Sequence, residues 1–196
     1  MTGCLAEADI NARNSGGETS LPPSVMAGII AASPDVNDRD SDGLTPLHWA
    51  AGNGNAAVPE VRLAEGANVN ARDNDGWTPL HRALNNNDSL AVIEALIAGG
   101  AVINARTSGG FTPLHGAAGN FDTPEAIHIL LDLGADVNAR DSDGRTPLHR
   151  AVNNKDSLAV IEALIVGGAD INARTSGGLI PTALRFDFFC PFSGCD

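Results

Sequence analysis

The 196-residue chain has no tyrosine, a single lysine (Lys155), three cysteines and only 4% aromatic residues. Each shortage closes off a class of function. The one lysine has no Gly-rich loop beside it, so there is no phosphate-binding P-loop, and no Gly-x-Ser-x-Gly stands anywhere to mark a hydrolase nucleophile. Cys4, Cys190 and Cys195 lie at the two ends without Cys-x-x-Cys spacing. They imply neither a disulfide framework nor a zinc site, and a reducing, cytoplasmic compartment is the expectation. No run of about 18 apolar residues is present, and the opening Met-Thr-Gly-Cys-Leu-Ala-Glu lacks the basic and apolar regions of a signal peptide. Basic residues are scarce as a group: 12 Lys and Arg against 24 Asp and Glu give a net charge of −12. That charge repels nucleic-acid phosphates and anionic lipid heads, so neither is expected as a partner.

What is present is repetition. Thr-Pro-Leu-His occurs at Thr45–His48, Thr78–His81, Thr112–His115 and Thr146–His149, at spacings of 33, 34 and 34 residues. A period of that length marks a solenoid of stacked units, each burying its apolar face against its neighbours. Threonine is a good N-cap, and proline at the first helical position loses nothing by lacking an N–H. The leucine of each motif should face the interior, and the small Ala50, Ala83, Ala117 and Ala151 should let helices approach. A second helix follows in segments such as Leu90–Ile97, where Leu90, Ile93, Leu96 and Ile97 fall at helical spacing. Gly99, Gly100, Gly134, Gly167 and Gly168 are placed to end these helices in a left-handed conformation. Asp75-Gly76, Gly109-Gly110 and Asp143-Gly144 then suit a tight hairpin. Pro59 implies that one second helix starts late, near Val58, whereas Pro124 suits the first position of another.

With its Asp-x-x-Gly-x-Thr-Pro-Leu-His opening and Gly-Ala-Asx-Val/Ile-Asn closing, as in Gly66–Asn70 and Gly134–Asn138, the chain resembles the ankyrin-repeat family over roughly residues 21–178. The resemblance implies a mainly α solenoid of four full repeats, each a β-hairpin finger and two antiparallel helices, that binds another protein through its concave face of fingers and first helices. Residues 70–110 and 138–178 differ at only six of 41 positions, the mark of a duplicated two-repeat block. The ends depart from the pattern. Residues 1–20 read as a partial repeat, and Val25–Asn37 aligns with Val92–Asn104 but lacks its own first helix. Residues 179–196 start a fifth repeat and then break into a tail holding four of the six phenylalanines, Phe186, Phe188, Phe189 and Phe192. That tail is expected to cover the last apolar helix face, or else to drive self-association of a chain that is otherwise a monomer.

The four motif histidines cannot share a metal, because stacked helices stand about 8–10 Å apart and zinc needs its ligands at about 2 Å. They read instead as hydrogen-bonded ties between finger and helix, and Asn70, Asn104, Asn138 and Asn172 read as structural. No catalytic constellation, cofactor site or metal site is expected. The remaining candidates form a protein-binding surface. From the fingers it takes Arg72, Asn74, Asp75, Trp77, Arg106, Ser108, Phe111, Arg140, Ser142, Asp143 and Arg145, with Leu44 at the matching position of the first. From the first helices it takes Trp49, Asn85, Asn86, Asn120, Asn153 and Asn154. The arginine row at the finger bases is expected to be balanced by acids one to three residues on, except at Arg106. Trp77 and Phe111, on adjacent fingers, are the expected hot spot. The alternative to a scaffold is a self-associating or inert fragment of a longer array, or an engineered consensus-like repeat protein.

Overall fold

The computed structural model describes residues 35–86, 89–120, 124–153 and 158–181. Eight helices run through them: α1 Pro46–Gly52, α2 Ala57–Ala64, α3 Pro79–Asn86, α4 Leu90–Ala98, α5 Pro113–Asn120, α6 Glu125–Asp132, α7 Pro147–Asn153 and α8 Leu158–Val166. First helices α1, α3, α5 and α7 form one layer, and second helices α2, α4, α6 and α8 form the other. Leu47, Leu80, Leu114 and Leu148 are fully enclosed, as are Ala50, Ala83, Ala117 and Ala151. One apolar core therefore runs the length of the stack, completed by Ile93, Leu96, Ile127, Leu130 and Leu164 from the second layer.

The fingers carry no β-strand among the described residues. Each is a tight turn closed twice, in the second repeat by Gly76 N–H to Asp73 O at 3.0 Å and Asp73 N–H to Trp77 O at 2.9 Å. Gly76 has φ +81, the left-handed residue that such a three-residue hairpin loop requires. What replaces a ladder is bonding from finger to finger: Asn74, Ser108, Ser142 and Ser176 each donate a backbone N–H to Asp42, Asp75, Gly109 and Asp143 in turn.

Two expectations about glycine and two about proline need correction. Gly100, Gly134 and Gly168 are left-handed as expected, but Gly99 and Gly167 are not. A Cβ at Gly99 would stand 2.9 Å from a Leu63 methyl, and at Gly167 2.6 Å from a Leu131 methyl, so these two are small because the preceding repeat packs on them. Pro124 lies at the N-cap of α6 and not inside it. Pro59 sits in the first turn of α2, which starts at Ala57, one residue before the expected place. There its missing N–H has no helical partner to lose.

Candidate functional site

Three side chains per repeat bind the next repeat, and they set the geometry of the exposed side. The histidine comes first. Thr45 N–H donates to His48 Nδ1 at 3.0 Å, leaving the ring hydrogen on Nε2, which donates to Trp77 O at 3.0 Å. His81, His115 and His149 do the same toward the backbone oxygens of Phe111, Arg145 and Leu179. Each imidazole thus clamps its own helix start and the following finger. Burial holds the His81 ring down to about 4, only partly offset by its bond to Phe111. The His48 and His115 values are lowered for the same reason.

The asparagine is the second tie. The Asn70 amide donates to Gly100 O at 3.0 Å and accepts from Val102 N–H at 2.8 Å, and Asn104 and Asn138 repeat the pattern. Arginine is the third. Arg39, Arg72, Arg106 and Arg140 each donate through Nη2 to the backbone oxygen of the arginine in the next finger. The expected balance of this row by the finger acids is not what holds it, and Arg106 behaves like its neighbours. The guanidinium passes directly beneath the finger glycine: a Cβ on Gly76 would stand 2.7 Å from Arg72 Nη2.

The finger acids have other work. Asp73 Oδ1 accepts the Asp75 and Trp77 N–H groups, while Oδ2 takes Arg82 Nη2 at 3.1 Å. Asp141 likewise holds its turn and faces Arg150 at 3.5 Å, and Asp40 pairs with Trp49 Nε1 at 3.3 Å. In the third repeat Thr107 replaces the aspartate and holds the turn through its hydroxyl. It has no second oxygen to offer, and Gly116 stands where the other repeats carry Trp49, Arg82 or Arg150. This coupling between a finger residue and the residue after the histidine was readable as a covarying pair of positions and was missed.

With these ties in place the half-exposed groups come together around the third repeat. The Trp77 and Phe111 rings stack at 5.3 Å, each also against the histidine of its own repeat. The Arg150 guanidinium lies 4.9 Å from the Phe111 centroid. A shallow groove continues from this pair past Gly119 and is lined by Asn85, Asn120 and Asn153 on one side and by Asp75, Ser108, Ser142 and Asp143 on the other. Asn120 donates to the Asn85 side chain at 3.0 Å, and Arg145 pairs with Asp143 at 2.9 Å.

Other candidates stand differently. Leu44 is only 6% exposed and serves the core. Trp49 lines a separate hollow with His48, Asn53 and Arg82. The Asn74 and Ser108 side chains bind the backbone of the preceding finger, at Ser41 O and Asp75 O. Arg72, Arg106 and Arg140 are exposed but engaged in the ties described above. Asn86 lies in α3, and Asn154 lies outside the described residues, as do Cys4, Cys190, Cys195 and the Phe186–Phe192 tail. Among the described residues no group of three or more His, Cys, Asp or Glu could hold a metal ion, and no helix is long and apolar enough to cross a membrane.

No curated protein matches this chain. A family model described as ankyrin repeats in three copies matches residues 24–107 and 87–175. The two matches span most of the sequence and coincide with the stack of clamped, finger-linked helix pairs, so the chain belongs to the ankyrin-repeat family.

Proposed function

We propose that this chain, built of repeats that are in general protein–protein interaction modules, is a non-enzymatic scaffold that docks one partner protein across the fingers and first helices of its second to fourth repeats. The observation that carries the reading is the Trp77–Phe111 stack. Two large rings stay half exposed beside a groove of side-chain amides, on a side where the other long polar groups are tied down. Aromatic groups on a rigid frame lose little entropy on binding and supply the large apolar contact that typifies hot spots. Amides such as Asn120 and Asn153 around them can donate and accept toward a partner's backbone.

The test compares proteins captured from the source organism by the wild-type chain, Phe111→Ala, Asn153→Ala and a second-layer control, Glu94→Ala. Loss of a ring at the centre of an interface costs about 2 kcal/mol or more, about thirtyfold in affinity. A partner lost with Phe111→Ala, weakened with Asn153→Ala and kept with Glu94→Ala supports the reading. Capture that survives Phe111→Ala but fails with Glu94→Ala places the interface on the opposite layer. Circular dichroism at the assay temperature checks that each variant is folded.

A further inference from the structure

Gly116 and Gly119 lie inside α5, three residues apart and so on one face, and neither has a positive φ. A Cβ on Gly116 would meet Leu84 O at 3.5 Å, and one on Gly119 would meet Arg150 Cβ at 3.8 Å, both ordinary contact distances. Gly99 and Gly167, by contrast, are hemmed in by leucine methyls. Glycine is the poorest helix former short of proline, so α5 gives up stability that neither its backbone nor its packing requires it to lose. What the two glycines leave is a notch. The place of Gly116 is taken by Trp49, Arg82 and Arg150 in the other repeats, and that of Gly119 by Asn85 and Asn153 in the repeats on either side. The first repeat shows the effect of filling it. There Leu44, His48, Asn53 and Arg82 line a hollow of about 140 Å³ that Trp49 also walls. The corresponding Phe111, His115, Asn120 and Arg150 line one of about 300 Å³, with Gly119 in its wall.

We propose, resting on the reading that a partner docks around Trp77 and Phe111, that this notch takes an extended segment of that partner, with small residues (Gly, Ala or Ser) where it lies along α5. Gly116 and Gly119 then set which segments fit. Width decides against a helix. One helix of the stack is lowered, which makes the notch about 8–10 Å across, whereas an α-helix with its side chains measures about 10–12 Å. An extended strand takes up only about 5 Å beside its neighbours. The bare floor lets a second backbone come close, as glycine does where a backbone must approach a ligand. The rim matches such a backbone, because the side-chain amides of Asn85, Asn120 and Asn153 offer both donors and acceptors to its N–H and C=O groups. The eight residues of α5 measure about 12 Å, so about four extended residues run along it before the segment reaches Phe111 and Arg150.

The experiment selects random linear dodecapeptides displayed on phage against the full chain. Recovered peptides are titrated on Phe111→Ala, on Gly116→Ala/Gly119→Ala and on Gly119→Asn, and each protein is melted. The notch predicts peptides that share a Gly, Ala or Ser position and that all three variants bind at least about tenfold more weakly. The double Ala variant should at the same time melt about 4–8 °C higher, since each glycine costs its helix stability. A lower melting temperature for that variant would show that packing needs the glycines, and unchanged peptide affinity in both glycine variants would show that docking does not. Either result overturns the inference and, if Phe111→Ala still weakens binding, leaves the docking site standing. Recovered peptides with apolar residues spaced three and four apart would make the occupant a helix and overturn it as well. Peptides indifferent to Phe111→Ala, or no enrichment at all, would remove the docking site and the inference with it.

Discussion

At the scale of single residues, function depends on side chains that serve two repeats at once. His81 is enclosed, accepts at Nδ1 and donates at Nε2, so a second proton has no place without breaking the bond from Thr78 N–H. Its folded-state value of about 4 lies below the ordinary 6.5, so on acidification the unfolded chain takes the proton first. The stabilisation is complete above about pH 6.5, fades as pH falls toward 4, and amounts to about 3 kcal/mol for this residue. Urea unfolding at several pH values should show stability falling between pH 7 and 4, with His81→Gln flattening the profile. A wild-type profile that is flat over that range would contradict the clamp. Gly76 offers a second check. Substitution by Ala forces φ +81 on a residue with a Cβ and drives that Cβ toward Arg72 Nη2. The first effect alone costs about 1–2 kcal/mol, and a Gly76→Ala melt should show at least that loss.

At the scale of elements, the repeats are not equivalent. α4 encloses Val92, Ile93 and Leu96, whereas α2 encloses only Pro59 and Arg62. Arg62 occupies the place of core leucines Leu96, Leu130 and Leu164 and pairs with Glu65 at 2.8 Å. The Arg62 side chain is 8% exposed but that of Glu65 is 49%, so Arg62→Leu removes a buried cation without stranding a buried carboxylate. It puts an apolar group where the other repeats bury one, a gain of about 1.5–3 kcal/mol for a fully buried leucine, and it should raise the melting temperature. Hydrogen exchange in the wild type should be faster in α2 than in α4 and α8. Equal protection in all three helices would remove α2 as the weak point. The sequence announced Pro59 through its chemistry but hid Arg62, because a buried arginine is noticed only when the repeats are aligned at the core position. Helix starts, enclosed leucines and the inter-repeat histidines were legible from Thr-Pro-Leu-His alone, since capping and spacing are local. The arginine ties were not, because their acceptors are backbone oxygens one repeat away. The acids nearby in sequence suggest themselves as partners, whereas Asp73 and Asp141 hold turns.

At the scale of the whole molecule, the charge is divided between the layers. Among the described residues the fingers and first helices carry eight arginines and seven aspartates, whereas the second helices and their loops carry nine acids and Arg62. Over the described residues the negative charge is therefore concentrated on the layer away from the groove. The groove side is nearly neutral and its cations are tied, so contact there rests on Trp77, Phe111 and the asparagine amides and is only weakly salt-dependent. The measurement that tests this most directly is amide exchange of the chain alone and in complex with its captured partner. Docking across the fingers and first helices should slow exchange in residues 74–86, 107–120 and 145–153 and leave α2, α4 and α6 unchanged. Protection confined to α4, α6 and α8, with those segments unaffected, would place the partner on the acidic layer and contradict the proposed site.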